Sequence, residues 1–107
     1  MIGSTKIIKE ISLEEFEEII FNNPIIIGSH ALDHLSTWQR KLFKEDELIN
    51  ILTKEKPCGI GLQINGRYST FFKRKWGFMR IIFEVKGEWI EIITFTNPET
   101  MPNLKRL

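Results

Sequence analysis

The sequence predicts an α+β fold, with N-terminal helices packed on one face of a C-terminal antiparallel sheet of about four strands. Three observations carry that expectation. Apolar residues recur at helical spacing before Lys56-Pro57 and at alternate positions after it. Ser12-Leu13-Glu14-Glu15 is a capping box placed just ahead of an apolar stripe. Asn65-Gly66, Trp76-Gly77 and Lys86-Gly87 divide the C-terminal half into strand-length pieces.

Residues 5–10 suit a short edge strand. Ser12 then opens a helix, in which Leu13, Phe16, Ile19 and Ile20 form the apolar stripe and Glu14, Glu15, Glu17 and Glu18 the outer side. Asn22-Asn23-Pro24 ends it, because proline disfavours helical geometry in the residue before it. Ile25-Ile26-Ile27 reads as a short buried strand. Gly28-Ser29 turns the chain, and Ser29 caps an expected helix from about His30 to Phe43, with Ala31, Leu35, Trp38 and Leu42 on one face. A second helical segment over residues 45–54 stops at Lys56-Pro57.

From there the period is two. Residues 58–64 and 67–74 form a hairpin through Asn65-Gly66, the pair suited to a type I′ turn. Residues 78–85 place Met79, Ile81, Phe83 and Val85 on one face and Phe78, Arg80, Ile82 and Glu84 on the other. Residues 88–96 make the last strand. The tail from Pro98 to Leu107 is expected to be irregular.

At 107 residues the chain is one domain with room for an ordinary core. A net charge of +1 excludes a packager of nucleic acid that works through its whole surface, so any such site is local. Cys58 is the single cysteine, which rules out an intramolecular disulfide and fits a reducing, cytoplasmic setting. Met1 leads into a polar start, so no secretory leader is expected, and no apolar run reaches the roughly 18 residues of a membrane span.

Positive charge is concentrated between Arg67 and Arg80. That segment holds Arg67, Lys73, Arg74, Lys75 and Arg80, no acidic residue, and Tyr68, Phe71, Phe72, Trp76 and Phe78 interleaved with the cations. Cations meet phosphates and rings stack on bases, so the pattern suits a nucleic-acid-binding surface made of Arg67, Lys73, Arg74, Lys75 and Trp76. It also suits a solvated strand surface that resists edge-to-edge pairing. Arg80 is the most informative of these cations, standing mid-strand between apolar neighbours.

His30 and His34 are four residues apart on the expected helix, so their rings project to one side. They read as a general base or phosphate contact, or as a pair of half-exposed surface histidines. The zincin signature needs glutamate after the first histidine, where this chain has Ala31, so no metal site is assigned. Cys58 reads as a small buried residue, and Thr94 as an ordinary strand threonine.

Four short motifs occur in order, with a charged strand between the second and the third. Ile26-Ile27-Gly28-Ser29-His30-Ala31 is a strand leading into His-Ala, and Lys44-Glu45-Asp46-Glu47-Leu48 introduces a helix with acidic residues. Met79-Arg80-Ile81-Ile82-Phe83 is a strand with a central cation, and Ile93-Thr94 closes the last strand. On these motifs the segment from Ile25 to Asn97 resembles the RelE-like toxin superfamily, within the wider barnase–EndoU–colicin–RelE fold group. Position 34 carries histidine where the pattern usually has arginine, and Arg40 lies further along.

The resemblance divides the chain into an N-terminal helical extension (1–24), a RelE-like core (25–97) and a tail (98–107). It implies metal-independent RNA cleavage without a cofactor. A base, His30 or His34, takes the ribose 2′ proton, and Arg80 with Lys73 or Arg74 holds the phosphate. It also implies an antitoxin protein as partner, covering the basic face. Beside this endoribonuclease reading stand two others: a non-catalytic nucleic-acid-binding module using the same sheet, and a protein–protein adaptor or orphan structural domain presenting Trp76, Phe78 and Trp89. No membrane association is expected, and oligomeric state is left open.

Overall fold

The computed structural model describes residues 6–31 and 45–106. In chain order these form β1 (Ile7–Glu10), α1 (Leu13–Phe21), β2 (Ile25–Ile27), α2 (Glu45–Lys54), β3 (Gly59–Gln63), β4 (Tyr68–Arg74), β5 (Gly77–Lys86) and β6 (Trp89–Thr96). A 3-10 turn, Leu104–Arg106, follows near the C-terminus. The helix expected over 30–43, and with it His34, falls almost wholly outside the described residues. His30 and Ala31 themselves lie in a turn after β2.

The sheet corrects the expected four antiparallel strands. It has six, in the order β1-β3-β4-β5-β6-β2, and it is mixed. The meander β3 to β6 forms its centre. β1 adds antiparallel to β3, and β2 adds parallel to β6, with Ile25, Ile26 and Ile27 opposite Ile90, Glu91 and Ile92. Both added strands are too short to carry a period of their own. Their place is decided by backbone hydrogen bonds to strands far along the chain.

Local chemistry explains the helices and turns. The Ser12 Oγ accepts from the Glu15 amide at 3.1 Å and caps α1. At the other end the Asn23 side-chain amide donates to the Ile19 carbonyl at 2.9 Å. The β3–β4 connection is not the expected type I′ turn. No described residue other than glycine has positive φ, so Asn65 cannot occupy that turn, and Gly66 alone adopts φ 87°. The Gly66 amide donates to the Gln63 carbonyl at 3.0 Å, and the Gln63 amide to the Arg67 carbonyl at 2.8 Å. This is the three-residue loop with a glycine bulge.

Strand alternation gives the sheet two unlike faces. One carries Ile60, Phe72, Met79, Ile81, Phe83, Ile90, Ile92 and Phe95, packed with Phe16 and Ile20 of α1 and Leu48 and Leu52 of α2. Burying one such side chain contributes about 1.5–3 kcal/mol, so this layer supplies most of the stability. The other face holds a smaller cluster, in which Ile7, Phe71 and Leu104 pack with Met101. The C-terminal tail therefore covers the β1–β3–β4 part of that face. Among the described residues no helix is long and apolar enough to cross a membrane.

Candidate nucleic-acid interface

One end of the sheet collects most of the residues singled out in the sequence. β2 and β6 are parallel, so both finish there, and the Gly28 amide donates to the Ile92 carbonyl at 2.8 Å just before Ser29-His30. β5 runs opposite to β6 and so begins at that end, with Arg80 beside Thr96 and Ile82 beside Thr94. β4 finishes there too, which puts the β4–β5 turn, Lys75-Trp76, at the same end. His30, Thr94, Thr96, Arg80, Lys73, Arg74, Lys75 and Trp76 thus share one end of the sheet. Arg67 does not. It lies beside the Asn65-Gly66 turn at the opposite end and pairs with Glu84 at 3.0 Å.

The register of β4 separates the clustered cations. Lys73 faces the same way as Phe71 and Arg80, opposite Phe78. Arg74 faces the helical side, where its guanidinium donates to both Glu55 carboxylate oxygens, at 2.8 and 3.1 Å. Lys75 sits in the turn. Neither Lys73 nor Lys75 has a carboxylate partner among the described residues. Each lies instead over a ring, Lys73 Nζ 5.1 Å from the centroid of Phe78 and Lys75 Nζ 5.2 Å from that of Trp76. Trp76 is 84% exposed.

Gly77 allows this hairpin to rest on the chain after β6. Its φ is 140°, and a Cβ there would stand 2.7 Å from the Pro98 carbonyl oxygen. The neighbouring Phe78 amide donates to that oxygen at 2.9 Å. A cleft of about 390 Å³ opens between the turn and Pro98, bordered by Arg74, Lys75, Trp76, Phe78 and Asn97.

Arg80 is half-buried on the tail-covered face. Its Nε donates to Ser69 Oγ at 3.1 Å, and its Nη2 to Ser69 Oγ at 2.9 Å and to Gln63 Oε1 at 3.1 Å. The Ser69 hydroxyl donates to Gln63 Oε1, and the Gln63 amide to Asn65 Oδ1 at 3.1 Å. The guanidinium carbon stands 5.6 Å from the Phe71 ring centroid. These partners are all neutral, so among the described residues the positive charge is held without a carboxylate. Burial lowers its pKa from the usual arginine value, yet the group stays charged at neutral pH.

The network orients Arg80 toward β4 and β3. The turn carrying His30 follows β2, which lies on the other side of β5 with β6 between them. Two strand spacings amount to about 10 Å of sheet. His30 and Arg80 thus share an end of the sheet, while the bonds that hold Arg80 run away from β2.

Gln63, Ser69 and Glu55 were not singled out in the sequence. Gln63 and Ser69 are almost fully buried, at 1% and 0% exposure. For Gln63 the signal was present as phase: Gly59, Gly61 and Gln63 alternate with Ile60 and Leu62, which marks a face unlike the apolar one. Cys58, expected to be buried, is exposed, and its Sγ donates to the Phe71 carbonyl at 3.3 Å. Among the described residues no group of three or more His, Cys, Asp or Glu side chains is arranged to hold a metal ion. Comparison of the chain with protein-family models, curated proteins and solved structures finds no match.

Proposed function

We propose that this protein is a small RNA-directed endoribonuclease of the RelE-like kind, cleaving without a metal ion. The observation that carries the reading is the gathering of the His30 turn, Arg80 and the Lys73–Trp76 hairpin at one end of a single sheet. In the reaction His30 takes the 2′-hydroxyl proton as that oxygen attacks the adjacent phosphorus. The bond to the 5′ oxygen breaks, that oxygen takes a proton from water, and a 2′,3′-cyclic phosphate is left. Arg80 offsets the charge that develops on phosphorus, and Lys73 and Lys75 hold flanking phosphates. An antitoxin-type partner would neutralise such an enzyme by covering the hairpin.

The hydrogen bonds of Arg80 favour a second reading. Its fork already engages Ser69 and Gln63, on the far side of β5 from the His30 turn. A module that binds RNA through the hairpin without cutting it needs no convergence of His30 and Arg80.

Incubation of the purified protein with structured and unstructured RNAs, including ribosome-bound mRNA, separates the two. The ribonuclease reading expects products with cyclic phosphate ends that persist in EDTA and disappear in His30→Ala. Chelator-sensitive cutting, or full activity in both His30→Ala and Arg80→Ala, defeats it. Binding without cutting by the wild-type protein selects the module.

A further inference from the structure

We propose that the cleft beside Trp76 stacks one unpaired base of single-stranded RNA, and that the strand continues from there along the Lys73–Phe78 rung toward Arg80. The inference rests on the reading above that the protein acts on RNA, and it names the form of that RNA.

The tip supplies a ring in the open. Trp76 projects from a turn whose backbone is held by the Phe78–Pro98 hydrogen bond and the close approach of Gly77 to Pro98. A large apolar ring so exposed has desolvation energy available to a ligand, and the cleft beside it is flanked by Lys75, which has no carboxylate partner among the described residues. Base faces are π surfaces and phosphates are anions, so a ring beside an exposed cation matches one nucleotide.

The face of the sheet repeats that pairing. Lys73 and Phe78 are cross-strand partners, and the next pair on the same face is Phe71 with Arg80. Each rung sets a cation over a ring, at 5.1 and 5.6 Å. Successive same-face rungs are about 7 Å apart. Phe71 is buried and Arg80 half-buried, so Lys73 and Phe78 form the open part of this track and Arg80 its inner end. Among the described residues the track's cations have no carboxylate partner, whereas the other cations of the segment, Arg67 and Arg74, are tied to Glu84 and Glu55. A duplex hides the faces of its bases from a single projecting ring, so this arrangement selects unpaired strands.

Fluorescence anisotropy with a 12-nucleotide 2′-O-methyl RNA, which has no free 2′-hydroxyl to cleave, tests the inference. The same strand annealed to its complement is the comparison. The single strand should bind the wild-type protein more tightly than the duplex. Trp76→Ala should weaken single-strand binding about 5- to 150-fold, the loss of one stacked base, and leave duplex binding unchanged. Trp76→Phe should retain most of the affinity. Equal binding of both forms, with Trp76→Ala indistinguishable from wild type, overturns the stacking site and leaves the RNA reading standing. Binding of neither form at low salt overturns both.

Discussion

Arg74 and Glu55 are joined by two hydrogen bonds, of 2.8 and 3.1 Å, while the lysines on either side of Arg74 have no described carboxylate partner. Three adjacent cations therefore differ in kind. Arg74 ties β4 to the residue that follows α2, and Lys73 and Lys75 keep their charge available to solvent and ligand.

That difference predicts unequal effects on RNA binding. Lys73→Ala and Lys75→Ala should each lower the slope of log affinity against log salt by about 0.7, one released counterion contact on a single strand. Arg74→Ala should leave the slope near its wild-type value. It should cost about 0–1 kcal/mol of stability, since both partners of its ion pair are partly exposed. Binding isotherms at three or more salt concentrations, with urea unfolding alongside, check this. A slope change confined to Arg74→Ala would reverse the assignment.

Arg80, held by Ser69 and Gln63, is the cation the proposal places on the reacting phosphate. Arg80→Ala should reduce RNA cleavage about 100- to 1,000-fold while the protein stays folded. Ser69→Ala removes an acceptor of Arg80 without removing the charge, and should lower the rate less than Arg80→Ala does. Single-turnover cleavage and circular dichroism of both variants provide the comparison. Equal rates for Arg80→Ala and wild type would exclude Arg80 from the reaction.

Gly77 is the hinge of the hairpin's position. Gly77→Ala meets the Pro98 carbonyl at 2.7 Å from a backbone already at φ 140°. The strain should cost about 1–3 kcal/mol, read as a shift in the urea midpoint. Because the cleft shares this contact, RNA affinity should fall too. An alanine variant with unchanged stability would show that the hairpin moves freely off Pro98.

Tyr68 predicts a pH dependence. Its phenol stacks on Phe83, with ring centroids 5.1 Å apart, and burial followed by the nearby Glu15 carboxylate raises its pKa above the ordinary 10.0. Above pH 10 the unfolded chain loses this proton before the folded one does. The contribution is therefore fully present below pH 10 and is lost as pH rises through the folded pKa. Urea midpoints at pH 9 and pH 11 should converge in Tyr68→Phe relative to wild type. An equal alkaline loss in both proteins would assign it to other groups.

Much of the local structure was legible in the sequence, and the reason is range. Ser12 caps α1 by accepting from the amide three residues on, Gly66 and Gly87 supply turn conformations, and period-two patterning marks β3 to β6 and places Arg80 out of phase with Met79, Ile81 and Phe83. Each of these depends on residues a few positions apart, where backbone sterics and side-chain capping act. Only the tertiary structure decided that Ile25–Ile27 lies parallel to Ile90–Ile92, that β3 is the strand the expected edge strand Ile7–Glu10 pairs with, and that Glu55 neutralises Arg74. It also decided that Gln63 and Ser69 aim Arg80 away from the His30 turn. Those arrangements join distant segments through hydrogen bonds and charge, and neither a propensity nor a period records which distant partner will arrive.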